Sequence, residues 1–261
     1  MFDHAIIDLD GTVYRGSEPV SGAGATIETL REQNVSVTFL TNNATKLRTQ
    51  YSTKLDEMGI STEPAEILTA GVITATYLAT EHPDSVLFVI GEDPFRTTLQ
   101  NHGLSITTSP EQADGIVVAL DREFGYETLS EALRVFENDD LLYVATNLDQ
   151  TRPGETHSLP STGTLIGAIK GMTGRSPEKI LGKPSPEGAK ILISERSVNT
   201  DRAILVGDRI GTDIQFGKAL EMETALVLTG VADGTESVPE CDQPDHVLDS
   251  ISELPTLLPG S

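Results

Sequence analysis

The chain is short of cysteine, of positive charge and of long apolar runs. A single cysteine, Cys241, in 261 residues leaves no internal disulfide to form. Its acidic Pro-Glu-Cys-Asp setting would raise a thiol pKa, which disfavours a catalytic thiolate. Lysine and arginine total 18 against 40 acidic residues, a formal net charge of -22 at pH 7. A surface so anionic repels nucleic acid and anionic membranes. No apolar stretch approaches the ~20 residues that span a bilayer, and no signal-peptide pattern precedes the first strand, so a cytoplasmic protein is expected. The acids are dispersed rather than gathered in a tail, which argues against disorder. Concentrated salt would screen their mutual repulsion, and a halophilic protein is expected on that ground. The hydrophobic fraction of 38% suffices for globular packing, and 261 residues is long for one core, so two domains are expected.

What is present is concentrated in a few short segments. Asp8-Leu9-Asp10-Gly11-Thr12 follows directly on the apolar run Ala5-Ile6-Ile7, and a strand's end is where an open α/β sheet builds its active site. Strand side chains alternate, so Asp8 and Asp10 lean into the same crevice. Two carboxylates that close repel unless a cation or a shared proton intervenes, so the spacing suggests metal-assisted acid and nucleophile chemistry. An EF-hand is excluded, because its glycine falls at loop position 6 whereas Gly11 is fourth from Asp8.

Three later segments end apolar runs in the same way. Val35 to Leu40 reads as a strand and delivers Thr41-Asn42-Asn43, a hydroxyl and two amides suited to phosphate oxygens. Gly182-Lys183-Pro184 places a lysine on a proline-stiffened loop before a helix, as an anion clamp requires. Ala203 to Val206 reads as a buried strand carrying Gly207-Asp208-Arg209, with Asp213 shortly after.

With these four motifs in this order, the chain resembles the haloacid dehalogenase (HAD) superfamily, most closely its NagD-like phosphatase branch, over nearly its whole length. The resemblance implies a Rossmann-like parallel-sheet core with an inserted α/β cap, and a Mg²⁺-dependent phosphatase acting on small phosphomonoesters. It implies that Asp8 is the nucleophile forming an aspartyl-phosphate and that Asp10 is the acid and base. Mg²⁺ would be held by Asp8, the Asp10 carbonyl and Asp208. Thr41, Asn42, Asn43 and Lys183 would bind the phosphoryl group, with Asp213 behind them orienting Lys183 or a metal-bound water. Sugar phosphates, nucleotides, phosphoglycolate and aryl phosphates all remain open as substrates. So do a phosphotransferase or mutase, and a phosphate-binding module without turnover. Cap-mediated dimers occur in the branch, but no interface stripe marks a homodimer here.

Helical spacing predicts helices over 25–33, from Leu47 to Met58, over 71–81, 94–102 and 128–138, with strands over 86–90, 115–120 and 141–145. About a hundred residues separate the second and third core motifs, too many for a loop. The expected division is therefore a core of residues 1–78 and 179–261 and a cap of 79–178. Within the cap, Asp121, Asn147 and His157 are the candidates for substrate contact, Asp121 and Asn147 because they lie at predicted strand ends.

Overall fold

The computed structural model describes residues 2–152, 154, 157–232, 234, 239 and 242–258. Cys241 lies outside them, as do Glu155 and Thr156 of the loop that carries His157. Strand β1 (His4–Ile7) is followed by a hairpin of β2 (Tyr14–Arg15) and β3 (Glu18–Pro19), helix α1 (Ala23–Glu32), β4 (Ser36–Thr41), α2 (Arg48–Glu57), β5 (Ile67–Thr69) and α3 (Ala70–Glu81). A second run comprises β6 (Val86–Ile90), α4 (Asp93–Asn101), β7 (Ser105–Thr107), β8 (Gly115–Val118), α5 (Tyr126–Val135), β9 (Leu142–Ala145), the hairpin β10 (Thr151–Arg152) and β11 (Leu159–Pro160), α6 (Thr162–Thr173) and β12 (Lys179–Ile180). Then come α7 (Pro186–Arg196), β13 (Ala203–Gly207), α8 (Gln215–Ala219), β14 (Glu223–Val227) and β15 (His246–Leu248).

The strands form two parallel sheets. The larger has the order β15-β14-β13-β1-β4-β5 and the smaller β12-β9-β8-β6-β7. From β1 the chain moves outward to β4 and β5, then returns on the other flank as β13. Such a switch point opens a crevice at the carboxyl ends of the strands, and Asp8 and Asp208 follow the two strands that meet there. The expected division at residue 179 falls on β12, which extends the smaller sheet beside β9.

The sheet centres are apolar on both faces because helices cover both. Ala5, Ile6 and Ile7 have no exposed surface. Helix α3 lies between the sheets: its Ile73, Ala75 and Leu78 share one core with Leu40 and Leu68 of the larger sheet and with Leu87, Val89 and Val117 of the smaller. Thr69 starts this helix, its side chain accepting from the Val72 N–H. Truncating Leu78 to alanine would cost about 2–5 kcal/mol and would loosen the seam between the sheets.

The predicted helices and strands occur, with ends shifted by up to three residues. The positive φ of Gly59, +78°, ends the chain's course after α2 without a side-chain penalty. Among the strands not anticipated are β5, β7 and β15, each of three residues and too few to display a period, and the five-residue β14.

Candidate active site

The turn after β1 is closed by the Gly11 N–H donating to the Tyr14 carbonyl at 2.8 Å and the Val13 N–H to the Leu9 carbonyl at 2.9 Å. Gly11 has φ +100°, and a Cβ there would lie 2.5 Å from Asp208 Oδ2. Only glycine lets this turn approach the loop after β13. Asp8 and Asp10 thereby face one cavity of about 60 Å³, together with Thr41, Asn42, Asn43, Lys183, Asp208 and Asp213.

Lys183 organises the floor. It is 3% exposed, and its Nζ donates to Asp8 Oδ1 at 2.6 Å, Asp213 Oδ1 at 2.5 Å and the Leu40 carbonyl at 3.0 Å. All three ammonium protons have acceptors, so its remaining influence on a ligand is its charge. Burial opposes that charge, but Asp213 and Asp8 hold the lysine pKa above its ordinary value.

Asn42 fixes the loop that carries this lysine. Its Oδ1 accepts from the Lys183 N–H at 2.8 Å, and its Nδ2 donates to the Lys183 carbonyl at 3.1 Å and to Asp149 Oδ2 at 3.3 Å. The carboxamide expected to grip phosphate is thus engaged in holding Lys183 in place. Thr41 Oγ1 accepts from the Asn43 N–H at 3.1 Å, while Asn43 Oδ1 accepts from the Thr45 N–H and hydroxyl at 3.0 and 2.8 Å. The Thr41 hydroxyl proton and the Asn43 amide protons are the donors of this loop that can turn to an anion.

Asp8, Asp208 and Asp213 bring carboxylate oxygens within 4.8 Å of one another. Asp213 is committed on both sides, Oδ1 to Lys183 and Oδ2 to the Arg209 N–H at 3.1 Å. Asp208 Oδ2 accepts from the Val231 N–H at 2.7 Å. Among the described residues, one oxygen of Asp8 and one of Asp208, both lining the cavity, accept no hydrogen bond. Burial raises the pKa of Asp8 well above its ordinary value, against the pull of Lys183, and pushes Asp208 up to about 6, with Asp213 adding to the shift. Three buried acids with one ammonium leave excess negative charge among oxygen-only donors, and a hard divalent cation fits that set. Asp10 is also raised by burial, held down in part by Lys54 and by the Tyr14 hydroxyl, which donates to its Oδ2 at 3.3 Å.

The cap candidates divide. Asn147 is buried on the cavity wall, and its Nδ2 donates to the Asn42 carbonyl at 2.8 Å. Asp121 does not line the cavity: its Oδ1 accepts from the Glu123 N–H at 2.9 Å, a local turn. His157 is exposed and away from the cavity. Seven wall residues went unselected in the sequence, among them Asp149, Arg152, Thr162 and Arg209. Arg209 lies inside the Gly207-Asp208-Arg209 motif and Asp149 two residues after Asn147, so both had a signal. Arg152 and Thr162 had none.

Family models for haloacid dehalogenase-like hydrolases match residues 5–105, and for HAD-hydrolase-like proteins residues 180–254. A sugar phosphatase of Bacillus subtilis is 33% identical over 252 residues, covering 97% of this chain and 92% of its own. A 5′-nucleotidase of the same organism is 32% identical over 248 residues, 95% of each chain. Among solved structures, a p-nitrophenyl phosphatase from Archaeoglobus fulgidus superposes with a TM-score of 0.89 at 32% identity, covering 98% of this chain and 99% of that one. NagD from Escherichia coli K-12 gives 0.86 at 25% identity, covering 97% and 98%.

Proposed function

Because the chain belongs to the haloacid dehalogenase-like hydrolase family, in its NagD-like branch, we propose that it is a Mg²⁺-dependent phosphomonoesterase working through Asp8. The observation that carries the proposal is Lys183 Nζ fixing one oxygen of Asp8 at 2.6 Å while Asp8 faces the cavity beside Asp10. A pinned carboxylate with one free oxygen is positioned for in-line attack.

In the first step Asp8 Oδ2 attacks phosphorus, the ester P–O bond breaks, and Asp10 gives its proton to the leaving oxygen. In the second, Asp10 takes a proton from water, the water oxygen bonds to phosphorus, and the bond from Asp8 to phosphorus breaks. Splitting the displacement gives two lower barriers. The raised pKa of Asp10 supports its holding a proton at the start. Thr41 and Asn43 orient the phosphoryl oxygens, and the Lys183 charge opposes the negative charge that builds on them. When bound, Mg²⁺ held by Asp8, Asp208 and the Asp10 carbonyl supplies the charge neutralisation that lets an anion approach an anion. Asp213 acts from behind, through Lys183. We assign the expected segment 79–178, extended through β12 because that strand completes the smaller sheet, as the cap over this site.

The relatives' names span sugar phosphates, nucleotides and a nitrophenyl ester, so the proposal covers small phosphomonoesters as a class. Among the described residues no helix is long and apolar enough to cross a membrane. We extend the proposal to an enzyme of a salt-rich cytoplasm on the strength of the net charge of -22. The test is hydrolysis of p-nitrophenyl phosphate with Mg²⁺ in molar KCl. Steady phosphate release without a second acceptor, abolished by EDTA, is expected; release undiminished in EDTA, or none with Mg²⁺, overturns the proposal.

A further inference from the structure

The turn that carries Asp10 also carries a partner for its side chain. Tyr14 follows four residues on, placed by its own N–H donating to the Leu9 carbonyl at 3.2 Å and by its carbonyl accepting from the Gly11 N–H at 2.8 Å. Tyr14 has no exposed surface, and its hydroxyl donates to Asp10 Oδ2 at 3.3 Å. Among the described residues that hydroxyl has no other acceptor, and Asp10 Oδ1 accepts no hydrogen bond.

A second element reaches the same ring. Lys54, in the last turn of α2, holds its Nζ 3.3 Å from the centre of the Tyr14 ring, where the negative face of the π-system attracts a cation. The chain has 40 acidic residues, yet among the described residues Lys54 is ion-paired to none of them. Lys54 lines an open groove with Lys46 and Gln50 rather than the cavity, and Tyr14 does not line the cavity either. Both stand outside the space that holds the catalytic carboxylates, so an effect of either on turnover passes through Asp10.

Resting on the phosphatase reading above, in which Asp10 is the acid, we propose that Tyr14, with Lys54 seated on its ring, is the positioning residue that sets which oxygen of Asp10 carries the transferred proton. The terminal torsion of an aspartate is broad and roughly two-fold, so its two oxygens exchange places unless something distinguishes them. A hydroxyl donating to Oδ2 does so: the carboxyl proton is left to Oδ1. That proton passes to the ester oxygen as the P–O bond breaks, and Oδ1 takes one back from water in the second step, while Tyr14 keeps its own. The ammonium over the ring draws electron density from the phenol and makes its O–H the stronger donor.

Two esters that differ only in a nitro group test this: phenyl phosphate, whose phenolate leaves poorly without a proton, and p-nitrophenyl phosphate, whose nitrophenolate needs little help. kcat/KM for each is measured in molar KCl with excess Mg²⁺. Tyr14→Phe should lose at least about tenfold on phenyl phosphate and no more than about threefold on p-nitrophenyl phosphate, a share of the about 10²–10⁴-fold that a positioned acid contributes. Lys54→Met should move the ratio of the two esters at least about threefold in the same direction. Inhibition by inorganic phosphate should stay within about twofold of wild-type in both variants, because neither side chain reaches the phosphoryl group. Equal losses on the two esters, or no loss, in either folded variant overturns the proposal, since a merely structural hydroxyl or ammonium would not discriminate between leaving groups. If Tyr14→Phe fails to fold by circular dichroism, Lys54→Met decides on the same ratio. Asp10→Asn run alongside separates this proposal from the reading it rests on. Equal losses on both esters there strike the acid role of Asp10, whereas discrimination there without discrimination in Tyr14→Phe strikes the positioning alone.

Discussion

Replacing Lys183 by methionine removes the single positive charge from between Asp8 and Asp213 while keeping most of the side chain's volume. In the wild-type protein the ammonium bonds to those carboxylates at 2.6 and 2.5 Å, with 3% exposure, so water cannot replace it. Breaking a buried pair by deleting one partner costs about 3–5 kcal/mol, because the other charge stays behind. Two carboxylates stay behind here, and Asp208 lies with them, which places the loss toward the upper end at neutral pH. A chain of this size loses roughly 2–4 °C of melting temperature per kcal/mol, so Lys183→Met should melt about 6–20 °C lower in metal-free molar KCl, read by scanning calorimetry. Acidification should narrow the gap, since protonation of Asp8, whose pKa is already raised, removes the uncompensated charge. Mg²⁺ should narrow it as well, by taking the place of the lost cation. A Lys183→Met protein melting within about 2 °C of wild-type would show that the ammonium is not balancing buried acids, and the electrostatic account of the site would fail.

Asp208 should make the metal-free protein more stable on mild acidification. Its folded pKa is pushed from 3.8 up to about 6, so the folded state binds the extra proton within that window and stability falls as pH rises through it. Asp208→Asn should flatten this segment of the melting-temperature profile, and an unchanged profile would contradict the assignment. Gly11→Ala puts a methyl group 2.5 Å from Asp208 Oδ2 at φ +100°, for a loss of roughly 1–3 kcal/mol. The displaced carboxylate should also raise the Mg²⁺ concentration needed for half-maximal activity; a wild-type Mg²⁺ requirement would refute the close approach. Thermal stability and kcat/KM should both climb as KCl rises from about 0.1 M to about 2 M, since the Debye length contracts from about 10 Å to below 3 Å over that range. A flat melting curve would reject the halophilic reading alone.

The residues of the four motifs were legible because each sits at a strand's carboxyl end, where local sequence sets both the apolar run and the polar loop after it. Asp8, Asp10, Thr41, Lys183 and Asp208 meet in one cavity for that reason. What each side chain does there depends on partners far along the chain. Asn42 looks like a phosphate ligand in sequence, yet both ends of its amide serve Lys183, 141 residues later. Asp121 and Asn147 looked alike, each a polar residue after an apolar run. The first closes its own turn, whereas the second meets the Asn42 carbonyl, a contact made only when the smaller sheet packs on the larger. Arg152 and Thr162 had no motif around them, and their relevance depends on where the hairpin and α6 fold. The three-residue strands β5, β7 and β15 escaped notice because their pairing, rather than their pattern, makes them strands.

The central claim is that turnover passes through a covalent phosphate on Asp8. Enzyme mixed with p-nitrophenyl phosphate and Mg²⁺, quenched in acid within the turnover time and digested, should yield a phosphorylated peptide whose modified residue maps by mass spectrometry to Asp8. Asp8→Asn, close in shape but a poor nucleophile, should yield neither the phosphopeptide nor turnover while melting as a folded protein. Turnover near the wild-type rate in folded, Mg²⁺-supplied Asp8→Asn, or a phosphoryl group trapped on another residue, would contradict the account.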